Sequence, residues 1–354
     1  MSGHAAMQAR LATIAALAAA AVVSLTAQQA PAQDDKERFK FRSAVELVNV
    51  TTTVTDASGR FVRGLRQEDF HVFEDGHEQP LTHFSAERVP VSLGIVLDTS
   101  NSMDGEKMEA ARDALSRFLL DLLEPEDEVF LYRFSDVPEL VEGWTTNRQR
   151  LQSRLQRLVP DGGTAMYDAI VEAIPLAQSG RHRKKALLII SDGNDSDSAV
   201  TVAEVKRQIR QSEILVYAIG IDRLSTTTTY GGGQGGTRQP PQTFPFPFPF
   251  PGPRRVPPAP PRSPTMPQGS GPADRVNAQA LREITDDSGG RTEIVRTPRD
   301  LDPATAGISD ELSQQYSLGY ASTGKDDGRW HTITVEVDRP GLRVRARRGF
   351  VANK

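Results

Sequence analysis

The sequence predicts an α/β fold with a doubly wound, mainly parallel sheet, inserted in a β-sandwich that the N- and C-terminal strands form together. Two observations support this fold class. Fully apolar runs at 91–97, 186–190 and 214–219 alternate with segments of helical periodicity, and the chain on either side of this region has β character. Apolar strands that alternate with helices are typical of crossover units, which build a parallel sheet between two layers of helices.

The first 32 residues have the pattern of a secretory signal peptide. Arg10 precedes an apolar run over residues 11–27, and small residues follow at 30–32. This order of regions predicts export, to the periplasm, the cell surface or the extracellular space, followed by a flexible leader over 33–42. The alternative is a retained anchor helix, which is the one case in which we expect contact with a membrane.

Composition excludes several classes of protein. The 354 residues include no Cys, so a disulfide framework, a thiolate metal site and a cysteine nucleophile are excluded. The formal net charge is −4. Because an acidic protein repels a phosphate backbone, we expect no nucleic-acid partner.

The two ends of the chain, residues 43–88 and 315–354, are predicted to be all-β. Residues 45–55 are β-branched and partly alternating, and Asp75-Gly76 lies between two short strand patterns, which is a hairpin signal. Each end is too small to bury a core alone, so we expect both ends to share one sandwich. Near the C-terminus, Arg alternates with apolar residues over 342–350, which predicts an edge strand with a solvent-facing row of Arg.

Between these ends, residues 89–314 are predicted to form the α/β domain. Besides the three apolar strands, we expect strands at 129–134 and 290–295 and helices over 107–122, 165–177, 201–211, 278–285 and 300–314. Residues 223–273 interrupt the pattern with 14 of the 24 Pro, five Arg and no acid. This composition predicts an extended or disordered insertion, and the alternative is a polyproline ligand for an aromatic groove.

Five oxygen-bearing side chains fall at one predicted edge of the parallel sheet. Asp98, Ser100 and Ser102 follow the first apolar strand, Thr164 opens a helix, and Asp192 follows the strand at 186–190. Ligands bind at the carboxyl ends of such strands. Two carboxylates and three hydroxyls, with no nitrogen or sulfur, suit a hard cation, so the set predicts Mg²⁺, with Mn²⁺ and Ca²⁺ as alternatives. The competing interpretation is a group of helix N-caps without metal.

The segment 90–222, together with 275–314, resembles a von Willebrand factor A domain. The signature that carries the resemblance is the metal-ion-dependent adhesion site, Asp98-x-Ser100-x-Ser102 with Thr164 and Asp192-Gly193. The family implies that Ser100, Ser102 and often Thr164 bind the ion directly, and that the two carboxylates act largely through water. The whole chain is similar to an exported bacterial subgroup of the family, of the acidobacteria type.

The expected function is therefore an exported adhesion-type module that binds a protein partner. An acidic residue of the partner would complete the metal site. We expect no enzymatic activity, because no base or nucleophile can be placed beside the ion from the sequence. Two alternatives stay open: a scaffold that binds through its Pro/Phe-rich loop with a vestigial metal site, and a metal-assisted hydrolase with Asp195 as base.

Overall fold

The structure is a computed structural model that describes residues 47–222, 276–322 and 327–352. These residues belong to one compact unit, Glu46–Lys354. The predicted signal peptide (1–32), leader (33–42) and Pro/Phe-rich insertion (223–273) lie outside the described residues. Within the described ranges, no helix has the length and apolar character needed to cross a membrane.

Strands and helices alternate in the middle of the chain, and strands dominate both ends. The strands are β1 (Leu47–Thr55), β2 (Phe70–Glu74), β3 (His77–Gln79), β4 (Leu81–Ser85), β5 (Val91–Asp98), β6 (Glu128–Phe134), β7 (Pro138–Thr145), β8 (Lys184–Ser191), β9 (Leu215–Ile221), β10 (Thr292–Val295), β11 (Tyr316–Ala321), β12 (Trp330–Val337), β13 (Arg343–Arg345) and β14 (Gly349–Val351). The α-helices are α1 (Glu106–Arg117), α2 (Arg148–Leu155), α3 (Met166–Gln178), α4 (Val202–Gln211), α5 (Ala278–Thr285) and α6 (Leu301–Gln314).

A six-stranded sheet in the order β10-β9-β8-β5-β6-β7 forms the centre of the α/β domain. All neighbouring strands are parallel except β6 and β7, which are antiparallel. Strand β5 is buried along its whole length. Its side chains contribute to two separate cores. Leu93 and Ile95 belong to the core that contains side chains of α1 and α6, and Val96 belongs to the core that contains side chains of α3, α4 and α5. Helices therefore cover both faces, and the predicted doubly wound fold is confirmed.

The strands from the two ends of the chain form two four-stranded sheets, in the orders β13-β1-β11-β4 and β14-β12-β2-β3. Each sheet mixes N- and C-terminal strands. In the first, Val50 of β1 lies opposite Leu318 of β11, and in the second, Val72 of β2 lies opposite Val335 of β12. Their inward-facing apolar residues share one core. The predicted sandwich built from both ends is confirmed, whereas the exact segment boundaries stay a prediction.

A buried carboxylate links the sandwich to the α/β domain. Glu311 of α6 is fully buried and accepts hydrogen bonds from Thr53 Oγ1 and Tyr217 OH, each at 3.0 Å. It also pairs with Arg291, at 3.1 Å, and with Arg345. The row of Arg near the C-terminus was predicted to face solvent. Strand β13 does lie at a sheet edge, but Arg345 turns inward to this buried acid.

Candidate functional site

The candidate site lies where β5 and β8 end. Asp98 is the last residue of β5, and Asp192 follows Ser191, the last residue of β8. The two strands are parallel neighbours, with Leu97 opposite Ile190, so both carboxylates reach the same sheet edge. Asp98 is fully buried and Asp192 is 4% exposed.

Hydrogen bonds hold the segment after β5 in a tight turn around Asp98. Its Oδ1 accepts from the Ser100 N–H at 2.8 Å, and its Oδ2 accepts from Ser191 Oγ at 2.6 Å. The hydroxyls of Ser100 and Ser102 lie 2.9 Å apart. Ser100 is buried and Ser102 is exposed, so the pair of hydroxyls leads from the carboxylate toward solvent.

Asp98 differs electrostatically from every other buried acid in the described part of the chain. The others each pair with Arg, Lys or His: Glu74, Asp127, Glu128, Glu142, Asp192, Asp287 and Glu311. Asp98 forms no ion pair with a described residue. Burial raises its pKa to about 6, and the negative charge of Asp192 adds to the rise, against the hydrogen bonds of Ser100 and Ser191.

Thr164 reaches the same edge on a separate loop. It is buried, its N–H donates to Asp197 Oδ2 at 2.8 Å, and its carbonyl accepts from the Ser196 N–H at 3.0 Å. This loop is bonded to the segment after β5, because the Asn101 N–H donates to the Gly162 carbonyl at 3.1 Å.

The structure thus brings Asp98, Ser100 and Ser102 together directly, and it places Asp192 and Thr164 at the same edge through their neighbours. Among the described residues, the Thr164 hydroxyl forms no hydrogen bond with the other four. Their assignment as metal ligands therefore stays a prediction.

Sequence reasoning missed two residues of this site. Lys107 at the start of α1 places its Nζ 3.4 Å from Asp192 Oδ2, so a tethered cation partly neutralises that carboxylate. Ser191 bridges the two strands, because its hydroxyl donates to Asp98 and accepts from the Gly193 N–H at 2.9 Å. A serine at the end of a buried strand, just before an acid, was the available signal.

Two acids of the loop before α4, Asp195 and Asp197, have structural partners. Asp197 holds the Thr164 backbone, as described above. Asp195 Oδ1 accepts from the Tyr167 N–H at 3.1 Å and from Ser198 Oγ at 2.6 Å. Both carboxylates therefore fix this loop against the start of α3.

The donor set fits a hard divalent cation. Among residues 47–222, 276–322 and 327–352, no three His, Cys, Asp or Glu form a group that could hold a metal. The predicted set relies on only two carboxylates, Asp98 and Asp192, supplemented by hydroxyls. A cation there would compensate the otherwise unpaired charge of Asp98, and oxygen ligands are those that Mg²⁺ prefers.

Comparison with known proteins places a family match over this site. Residues 93–194 match the model of the von Willebrand factor type A domain. An uncharacterized protein of Synechocystis is 30% identical over 111 residues, which cover 30% of this chain and 26% of that protein. The human inter-alpha-trypsin inhibitor heavy chain H4 is 26% identical over 136 residues, 35% of this chain and 14% of that protein. The chain thus aligns with about a quarter or less of these relatives' length.

The solved structures that the chain matches include a von Willebrand factor type A protein from Catenulispora acidiphila. It has a TM-score of 0.45 and 14% identity, over 89% of this chain and 76% of that one. The von Willebrand factor domain of the type V pili tip protein Mfa5 from Porphyromonas gingivalis has a TM-score of 0.42 and 13% identity. The match covers 64% of this chain and 95% of that domain. Residues 93–194, which include strands β5, β6 and β8 of the helix-covered parallel sheet, are therefore similar to a von Willebrand factor type A domain.

Proposed function

We propose that this chain is an exported protein-binding module whose divalent-cation site is completed by an acidic residue of a protein partner. The observation that carries the proposal is the unpaired charge of Asp98, buried beside Asp192 and opening to solvent through Ser100 and Ser102. A buried carboxylate without a cation is costly, so a fold that keeps one is adapted to receive a cation.

In this proposal, Ser100, Ser102 and Thr164 hold the ion directly, and Asp98 and Asp192 hold it largely through water. Mg²⁺ is the expected ion, with Mn²⁺ and Ca²⁺ as alternatives. The bound ion would supply a positive centre that accepts a carboxylate oxygen. The protein supplies the rigid turn after β5 and the solvent-facing Ser102.

The arrangement favours binding over hydrolysis. Asp195, the base that a metal-assisted hydrolase would use, accepts hydrogen bonds from the Tyr167 N–H and the Ser198 hydroxyl. Its carboxylate is therefore engaged in holding the loop. Export and surface location remain part of the proposal, since they rest on residues 1–32.

Calorimetric titration with Mg²⁺ and capture experiments together test this function. We expect the wild-type chain to bind Mg²⁺ and to capture a partner from envelope extract, and EDTA to abolish capture. Asp98→Ala should lose both properties while keeping the circular dichroism spectrum of the wild type. Asp113→Ala, which removes an exposed acid of α1, is the matched control and should lose neither. Equal capture with Mg²⁺, with EDTA and by Asp98→Ala would refute the proposal.

A further inference from the structure

Three exposed apolar side chains lie on segments that neighbour the proposed metal site. Val137, in the turn between β6 and β7, is 67% exposed, and Val159, in the loop after α2, is 68% exposed. Leu140 on β7 is 45% exposed. We call these three side chains the valine patch. The described chain has five exposed large apolar side chains, and the other two are Leu47 and Leu120. Three of the five therefore belong to the valine patch.

Backbone contacts fix the valine patch beside the site. The turn at 135–138 and the loop at 159–165 pack together, because the Ala165 N–H donates to the Ser135 carbonyl at 2.7 Å. The same loop is bonded to the segment after β5, since the Asp161 N–H donates to the Thr99 carbonyl at 2.7 Å. The patch therefore adjoins the metal site on its β7 side.

The surface around the valine patch is negatively charged. The loops that carry it and those on either side of the site expose several carboxylates: Asp104, Asp136, Asp161 and Asp197. The nearby basic side chains include Arg112, which donates to the Leu158 carbonyl, the exposed Arg157, and two that pair with acids. Arg133 pairs with Glu139 at 2.7 Å and with Asp161 at 3.4 Å, and Lys107 pairs with Asp192. These exposed carboxylates would weaken the attraction of the cation for a partner's acid that approaches without basic neighbours.

We propose that the partner presents its acidic residue from a linear segment in which basic and aliphatic side chains flank it. The basic side chains complement the exposed carboxylates, and the aliphatic side chains cover the valine patch. This inference rests on the proposed function and adds to it the chemistry of the partner. Buried apolar contact supplies affinity, and charge complementarity selects among acidic segments.

Fluorescence polarisation with labelled synthetic peptides tests the inference on the full chain in Mg²⁺. The first peptide has one Glu flanked by Lys and Leu, the second has Gln in place of Glu, and the third has the same Glu flanked only by Ser. A fourth copies residues 244–262 of this chain, which are basic and apolar without an acid. The protein variants are the double change Val137→Ser with Val159→Ser and, as matched control, Leu120→Ser.

We expect the first peptide to bind about tenfold more tightly than the third, an advantage lost in the double variant and kept in Leu120→Ser. Equal binding of the first and third peptides, both abolished by EDTA, would overturn the inference and leave the proposed function intact. If EDTA does not weaken binding of the first peptide, and the second peptide, with Gln in place of Glu, binds equally well, the metal-bridged function is refuted. Failure of all four peptides to bind would also overturn the inference. So would tighter binding of the fourth peptide than of the first, because the valine patch would then be a site for this chain's own segment 244–262.

Discussion

Replacing Asp98 by Asn removes a buried charge while keeping the shape of the side chain, and it separates the metal hypothesis from a structural role. The rise of the Asp98 pKa from 3.8 to about 6 means that the folded protein disfavours the charged form. At neutral pH this costs about 3 kcal/mol in the metal-free protein. The amide keeps one acceptor and loses the other, which costs about 1–2 kcal/mol. Metal-free Asp98→Asn should therefore be about 1–2 kcal/mol more stable than the wild type.

Thermal unfolding in EDTA and in Mg²⁺ measures this effect. In EDTA we expect the variant to unfold about 2–6 °C above the wild type. Added Mg²⁺ should raise the melting temperature of the wild type, because a ligand that binds the folded state stabilises it, and should leave that of the variant unchanged. In Mg²⁺ the difference between the two melting temperatures should therefore become smaller or change sign. The exposed Asp113→Asn serves as control and should follow the wild type in both buffers.

Two results would show that the reasoning is wrong. A variant that is less stable than the wild type in EDTA by more than about 1 kcal/mol would mean that the charge of Asp98 supports the fold. An equal rise of both melting temperatures in Mg²⁺ would mean that the cation binds somewhere other than this site.

Three further predictions follow from other contacts. Lys107→Met should strengthen Mg²⁺ binding about five- to tenfold in calorimetry, because the ammonium competes for Asp192, and unchanged affinity would refute that competition. Glu311→Gln should lower the free energy of unfolding in urea by about 3 kcal/mol, because it leaves two guanidinium groups without their buried partner, and a loss below about 1 kcal/mol would contradict this. Burial lowers the pKa of His331, but carboxylates including Asp75 outweigh it and raise the pKa above 6.5. This stabilisation is present below the unfolded pKa and is lost as pH rises through the raised folded pKa. His331→Asn should therefore reduce the loss of stability that the wild type shows as pH rises above about 6.5, and an identical profile would exclude the effect.

The sequence predicted the parallel sheet well because its strands are apolar on both faces. Runs such as 186–190 have no polar alternation, and they occupy the buried centre of the sheet as β8. It did not predict β7, whose residues include Pro138, Gly143 and two Glu. This strand lies at the sheet edge, where half-exposed residues give a weak pattern. Only its antiparallel pairing with β6 makes it a strand.

The site was predictable to the extent that strand ends determine it. Asp98 and Asp192 could be placed together because parallel neighbours end at one edge. The direction of Lys107 and the inward turn of Arg345 could not be predicted, because a long charged side chain reaches a partner that is distant in sequence. Glu311 is buried only because the sandwich and the α/β domain are in contact there, and a contact between residues so distant in sequence cannot be predicted from a local pattern.

The contrast between Glu311 and Asp98 is the strongest argument for a ligand at the site. Both carboxylates are fully buried, so each carries the same desolvation cost. The fold meets that cost at Glu311 with two Arg and two hydroxyl donors. At Asp98 it provides only uncharged donors, from Ser100 and Ser191, and the charge of Asp192 acts against the ionised form of Asp98. In the described residues the other buried acids are paired with basic side chains and Asp98 is not, and this contrast is the reason for proposing that a cation from outside binds there.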